Sequence, residues 1–322
     1  MPVADPNTFT GALLDRAADG RRTDAAWVHE QFSHPGARAV LAADEGMRVR
    51  DGHLALLPLS QAPAPVGDGV PLLLGLDDDG PVFAIDEGPT TEAGRRPAFV
   101  GAGGRRGEPP PTDDRHLGLR EAAQTLDRAE AALAAYAAAM LNWHRSHRFC
   151  ANCAAPTDVA EAGMVRSCPN CRAQHHPRVD PVVIMVVTDG SERVLLGRQK
   201  VWPARRYSAL AGFVSPGESL EEAVVREVYE EVGVRVGRPE YRSSQPWPFP
   251  GSLMLGFTCP WQEGDIGGAD EELEDARWFA RDEVAAAAAD DSWDTPDDGA
   301  ESLLLPPRSA IARRLIEGWL AG

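Results

Sequence analysis

The sequence predicts an α+β chain with three parts: a β-rich N-terminal domain, a small four-cysteine metal ribbon, and a C-terminal domain in which helices pack on a mixed sheet. Short apolar runs punctuated by Gly and Pro fill the first third of the chain, and two Cys-x2-Cys pairs fall at 150–153 and 168–171. A stretch free of Gly and Pro, rich in glutamate, then occupies 219–232 downstream of strand-like runs. A length of 322 residues exceeds one typical core, so at least two domains are expected. Hydrophobic content of 43% with 25% charged residues is ordinary for a globular chain and argues against a disordered one.

Residues 1–118 form the N-terminal domain, whose runs 54–59 and 70–76 read as strands separated by turns. Trp27 and His29 read as ordinary core or surface residues, and 101–114, rich in Gly, Arg and Pro, reads as an exposed loop. The Ala-rich segment 119–148 predicts one connecting helix with Leu126, Leu133, Met140 and Leu141 on its buried side. The ribbon follows at 149–177. Cys150 and Cys153, fourteen intervening residues, then Cys168 and Cys171 make two knuckles of the kind that bind tetrahedral zinc. Five cysteines in 322 residues, with no secretory leader, make a disulfide framework a poor reading. Four thiolates leave no open coordination position, so this zinc is expected to be structural. Asp158, Glu161 and Arg166 between the knuckles make no basic and aromatic stripe, which favours a scaffold over a nucleic-acid reader. Cys259 is left over and reads as a buried strand residue. Within 178–322, the runs 182–187 and 194–196 begin the mixed sheet and 311–320 supplies a closing helix; no internal repeat is evident.

The helix over 219–232 is the informative element. Glu218, Glu221 and Glu222 place acids at its start, and Gly233 stands where a helix is usually closed. Glu227, Glu230 and Glu231 fall at i, i+3 and i+4, so three carboxylates share one face and repel by a few tenths of a kcal/mol per pair, about 0.2–0.5. A divalent cation removes that repulsion, and hard oxygen donors suit Mg²⁺ or Mn²⁺. Arg226 is four residues from both Glu222 and Glu230. Gly212, Pro216 and Gly217 belong to the preceding loop, whose N–H groups could face phosphate. Further on, 244–250 reads Ser-Gln-Pro-Trp-Pro-Phe-Pro, a stiff loop that presents flat apolar faces because its prolines exclude it from a central strand.

Written as a pattern, 212–234 is G-x5-E-x7-R-E-U-x-E-E-x-G-U with U aliphatic, filled by Gly212, Glu218, Arg226, Glu227, Val228, Glu230, Glu231, Gly233 and Val234. All positions are occupied, and the chain here resembles the Nudix hydrolases. The 244–250 motif together with the upstream zinc ribbon resembles the NADH pyrophosphatase branch of that family. The resemblance runs from about 150 to the C-terminus and takes in Pro306-Pro307 and 309–316.

The resemblance implies an α/β/α sandwich, usually a homodimer. It places catalytic metal ligands on the Ala211 carbonyl, Glu227, Glu231 and Glu272, with Glu271 and Glu274 as alternatives for the last. Arg226 would orient carboxylates, with Glu218 as its partner. Substrate contacts carry onto Gln245, Pro246, Trp247, Pro248, Phe249, Pro250, Gly251, Ser252 and Ala312. Phe213 is either a stacking ring or a core residue. Where the family commonly has an aromatic ring before proline, this chain has His175-His176-Pro177, and His176 is either a substrate contact or a solvated loop residue. The implied reaction is hydrolysis of NADH or NAD⁺ to nicotinamide mononucleotide and AMP, extending to NAD caps on RNA 5′ ends. The cations would neutralise the pyrophosphate and lower the pKa of the attacking water. Glu231 is the expected group to help deprotonate that water, with Glu230 and Glu272 also candidates. Two other readings stand beside it: a Nudix hydrolase of ADP-ribose or another nucleotide, and a non-catalytic zinc-ribbon regulator that binds dinucleotide.

A net charge of −17 looks hostile to nucleic acid, but 263–301 carries 15 acids and two Arg, a net of −13, leaving −4 elsewhere. The excess is local and predicts a loosely packed acidic insertion. The longest apolar runs, 131–141 and 182–187, fall well short of the ~20 residues that span a bilayer. The first residues lack the charged start and apolar block of a signal peptide, so a cytoplasmic enzyme is expected.

Overall fold

The computed structural model describes residues 7–17, 20–66, 69–88, 114–190, 192–202, 204–267, 273–289, 293 and 302–322. The chain forms two compact units. One holds Phe9–Val179 with Trp247–Gly251; the other holds Asp180–Pro246 and Ser252–Gly322 with Asn7 and Thr8. Most of the predicted 101–114 loop, Glu271, Glu272 and most of the acidic stretch 290–301 lie outside the described residues.

The first unit runs α1 (Ala25–Ser33), β1 (Arg38–Ala43), β2 (Gly46–Arg50), β3 (His53–Leu54), β4 (Leu56–Pro58), β5 (Leu72–Asp77), β6 (Gly80–Gly88), β7 (Asp114–Leu117), α2 (Leu119–Thr125) and α3 (Arg128–Ser146). Among the described residues its sheet has the order β3-β2-β1-β6-β5, with β4 also on β1 and β7 on β2. β1 and β6 are parallel while β5 and β6 are antiparallel, so the sheet is mixed. Strand alternation sends Val40, Ala42, Leu72, Leu74, Val82 and Ala84 to one face with α2 and α3, and Leu41, Leu73, Phe83 and Ile85 to the other with Trp27 and Phe32 of α1. The β-rich reading gave no place to α1; the Asp24 carboxylate starts it by accepting from Ala26 N and Trp27 N. The single helix expected over 119–148 is two. Leu126 is extended and the Asp127 side chain accepts from Glu130 N at 2.9 Å, capping a new helix. The ribbon adds β8 (Asp158–Ala160), β9 (Val165–Ser167) and β10 (Gln174–His175), paired in the order β10-β9-β8.

The second unit continues with β11 (Asp180–Thr188), β12 (Arg193–Gln199), β13 (Leu210–Phe213), α4 (Leu220–Val232), β14 (Arg235–Val236), β15 (Glu240–Trp247), β16 (Ser252–Glu263), β17 (Leu273–Ala280), α5 (Arg281–Ala288) and α6 (Ile311–Leu320). Its sheet order among described strands is β14-β16-β11-β12-β17, with β13 on β11 and β15 on β16. β11 and β16 run parallel from Asp180 opposite Ser252 to Thr188 opposite Pro260, and β13 pairs antiparallel, giving the expected mixed sheet. Val183, Met185, Val187 and Leu195 face α4, whereas Ile184, Val186, Val194 and Leu196 face α5 and α6. That alternation makes the α/β/α sandwich. Cys259 in β16 is 2% exposed, the buried strand residue expected, and burial pushes its thiol up to about 12.

α4 follows from its sequence at both ends. The Ser219 hydroxyl accepts from Glu222 N at 3.2 Å while the Glu222 carboxylate accepts from Ser219 N at 2.7 Å, a complete capping box. Gly233 closes the helix at φ 74°, a left-handed conformation that a Cβ disfavours. Val224, Val228 and Val232 recur every four residues and are 0%, 0% and 1% exposed, each burial stabilising by about 1.5–3 kcal/mol. Ser219→Ala is expected to destabilise the protein by about 1 kcal/mol, read as a lower urea midpoint, with Ser219→Asn close to wild type; an unchanged midpoint for Ser219→Ala would show that the cap contributes nothing.

Candidate active site and metal centre

With Val224, Val228 and Val232 of α4 turned into the core, Arg226 bonds to Glu227 and Glu230 of the helix and to Glu218 of the loop before it. Arg226 Nε and Nη2 donate to Glu218 at 3.0 and 2.6 Å, and Nη1 donates to both Glu227 and Glu230 at 2.8 Å. Nη2 also donates to the Phe213 carbonyl at 2.9 Å, so one guanidinium fastens the loop, the helix and the end of β13 together. The expected partner Glu218 is there. Glu222, the other neighbour by spacing, instead serves the capping box.

The carboxylates differ in environment. Glu218 also accepts from Ser215 N at 2.6 Å, and its bond to Arg226, then that backbone donor, hold its carboxyl down at about 2. Burial pushes the Glu227 carboxyl above its ordinary value even though Arg226 pulls it down, so desolvation wins at that position. Glu231 is 7% exposed, whereas the Glu230 side chain is 52% exposed. Gly212 is explained by close approach: a Cβ there would stand 1.9 Å from Cδ of Glu227. Ala211 precedes it in β13, opposite Ile184 of β11. Glu227 and Glu231 offer oxygen donors with negative charge, a chemistry that fits a hard divalent cation. Glu274, an alternative for the last ligand, is paired with Arg198.

Phe213 is 63% exposed, which removes its core reading. Gln245 is 0% exposed. Its Nε2 donates to the carbonyls of Ser309 at 2.8 Å and Thr8 at 3.3 Å, and its Oε1 accepts from Ile311 N at 2.6 Å. Ala310, the residue before α6, has no capping side chain, and Gln245 supplies the acceptor from a distant strand; the sequence had no signal for this. Ala312 is 3% exposed in the core below α6, and Ser252 pairs with Asp180. Within the first unit, Trp247 and Phe249 meet edge to face at 5.0 Å, pack on the α3 side of the core, and lie under Arg120 at 5.2 and 4.5 Å. Pro248 is buried, Pro250 is exposed after a cis peptide, and Gly251 closes the loop; the two aromatic rings are thus partly spent on packing. His176 is exposed.

In the ribbon the four sulfurs of Cys150, Cys153, Cys168 and Cys171 lie within 4.8 Å of one another, a donor set that fits tetrahedral zinc. Backbone N–H groups of Asn152 and Cys171 point at Cys150 and Cys168 at 3.4 and 3.5 Å. The Asn170 side chain and the Ala155 N–H hold the Cys153 thiol below its usual range. Arg166, noted in the sequence only for its charge, is buried: it donates to Thr157 Oγ1 at 2.8 Å, to Thr157 O at 2.7 Å and to His144 Nδ1 at 3.0 Å. His144 donates from Nε2 to the Gly163 carbonyl at 2.8 Å, and burial lowers its pKa to about 4, so it is neutral near pH 7 and Nδ1 is free to accept. This chain of bonds ties α3 to the ribbon.

Three segments match families: residues 178–297 the NUDIX domain, 145–175 the NADH pyrophosphatase zinc ribbon domain, and 32–143 the NADH pyrophosphatase-like rudimentary NUDIX domain. The NAD-capped RNA hydrolase NudC of Mycobacterium bovis (strain BCG / Pasteur 1173P2) is 45% identical over 204 residues, 63% of this chain and 64% of that protein. The NAD-capped RNA hydrolase NudC of Stutzerimonas stutzeri is 43% identical over 207 residues, 64% of this chain and 68% of that protein. The NAD-capped RNA hydrolase NUDT12 of Macaca fascicularis is 42% identical over 205 residues, 61% of this chain and 43% of that protein. The chain therefore spans just under two thirds of the length of the mycobacterial relative.

Two outcomes are expected from this geometry. The Glu218 carboxyl is depressed in the folded chain, so its stabilisation is complete above its ordinary value of 4.5 and is lost as pH falls toward about 2. The stability difference between wild type and Glu218→Gln, measured by denaturant unfolding, should shrink across that window; a constant difference would contradict the pairing. Removing zinc should lower thermal stability and disorder the ribbon, because binding by four thiolates is folding energy. Unchanged melting after metal analysis confirms zinc loss would refute that role.

Proposed function

Because this chain belongs to the Nudix hydrolases, in the branch marked by the NADH pyrophosphatase zinc ribbon, we propose that it hydrolyses the pyrophosphate linkage of NADH or NAD⁺ to nicotinamide mononucleotide and AMP, and removes NAD caps from RNA 5′ ends. The observation that carries this reading is the set of four glutamates, Glu218, Glu227, Glu230 and Glu231, gathered at one helix with a single arginine bonded to three of them.

In this reading the Ala211 carbonyl, Glu227, Glu231 and Glu272 hold Mg²⁺ or Mn²⁺. When bound, the cation neutralises pyrophosphate oxygens and lowers the pKa of the attacking water. Arg226 keeps Glu227 turned toward Gly212 and leaves the more buried Glu231 to accept a proton from that water, with Glu230 and Glu272 as the other candidates. The exposed Phe213 ring, anchored through its carbonyl to Arg226, offers a face to a base or nicotinamide ring. His176, Pro246, Trp247, Pro248, Phe249, Pro250, Gly251, Ser252 and Ala312 remain proposed substrate contacts, while Gln245, buried and bonded to Ile311 N, would act by fixing the start of α6. The ribbon is proposed to hold structural zinc. Assembly as a homodimer and a cytoplasmic location rest on the family resemblance and the sequence; no described helix is long and apolar enough to cross a membrane.

Purified protein should release AMP from NADH, NAD⁺ and NAD-capped RNA only with Mg²⁺ or Mn²⁺. Glu231→Gln should lower kcat by about 10²–10⁴ with the fold intact by circular dichroism. A Gln variant as active as wild type would remove Glu231 from its role. Far higher kcat/KM on ADP-ribose would replace the substrate, and no turnover on any of the four would leave a dinucleotide-binding regulator.

A further inference from the structure

His175 is the second residue of β10, opposite Arg166 of β9, and its Nε2 lies 3.3 Å from the sulfur of Cys150. Cys150 is 3% exposed, so bulk water does not solvate that sulfur once it is a thiolate. A zinc ion held by four thiolates leaves a net negative centre, and N–H groups aimed at the sulfurs spread that charge and fix the ligands. Each buried sulfur receives a backbone donor, Asn152 N–H on Cys150 and Cys171 N–H on Cys168. A side-chain nitrogen, Nε2 of His175, also faces Cys150.

We propose that His175 is a positioning residue of the zinc centre: as the Nε2–H tautomer it donates to the Cys150 thiolate, fixes that ligand and slows loss of the metal. A thiolate can only accept, so the geometry sets the direction of the bond. Imidazole is not needed as a ligand, because the four sulfurs, within 4.8 Å of one another, already offer the four donors that zinc takes. The motif reading gave His175 no task, since it pointed to the neighbouring His176 as the ring before proline. The inference requires the four cysteines to hold zinc, but it does not depend on which substrate the other unit hydrolyses.

The test compares full-length wild type with His175→Phe, which keeps a ring and loses the donor, and His175→Gln, which keeps an N–H. Zinc affinity is read by competition with a chromophoric chelator, and the ligand field by the absorption of Co²⁺-substituted protein. His175→Phe should weaken zinc binding by about 10- to 100-fold and shift the thiolate-to-cobalt charge-transfer band, with His175→Gln recovering most of both. Equal affinity and an unshifted band for His175→Phe would overturn the proposal. So would a wild-type cobalt spectrum with three sulfurs and one nitrogen, which would make His175 a ligand. A wild-type chain that retains no zinc overturns the zinc reading itself, and is told apart because it appears before any substitution.

Discussion

The second unit is organised around carboxylates that repel one another and are nevertheless held together. Glu227, Glu230 and Glu231 occupy one turn of α4, and Arg226 bonds to the first two and to Glu218 in the preceding loop. For exposed side chains such crowding would cost a few tenths of a kcal/mol per pair, about 0.2–0.5. Glu227 is different, because burial raises its proton affinity despite a direct bond to Arg226. Desolvation outweighs the ion pair there, and a cation beside the carboxylate is the natural compensation. The surroundings serve that arrangement. Gly212 leaves space for the carboxylate, the valine stripe pins the helix, and the capping box together with Gly233 sets its ends.

What the sequence made legible was periodic or motif-bearing. The bounds of α4 and α6, the strands at 182–187 and 194–196, and the cysteine cluster all emerge from patterns that local chemistry enforces. Missed features depend on partners far away in the chain. Gln245 caps α6 across 66 residues, and Arg166 reaches His144 across 22. The helix break at Asp127 had a local signal, a capping aspartate, which the run of alanines on either side concealed. α1 was likewise announced by Asp24.

The N-terminal third shows a different kind of illegibility. It was read as β-rich and without chemistry, yet it matches a rudimentary NUDIX domain and folds as a mixed sheet between helices. Its long helix α3 buries alanines such as Ala131, Ala134 and Ala138 and carries no run of paired glutamates like that of α4. Sheet alternation alone sustains such a fold, and alternation leaves little trace once the charged motif is absent. In the same unit, the neutral His144 and buried Arg166 show how a ribbon too small for its own core becomes stable, by metal at one end and a helix at the other.

Glu227 and Glu231 of α4 are proposed to hold a cation. The most direct measurement is anomalous diffraction from crystals of this protein soaked in Mn²⁺. A manganese peak is expected about 2 Å from oxygens of Glu227, Glu231 and the Ala211 carbonyl. Clear maps at full soak with no peak among those oxygens, and Arg226 alone neutralising the cluster, would contradict it.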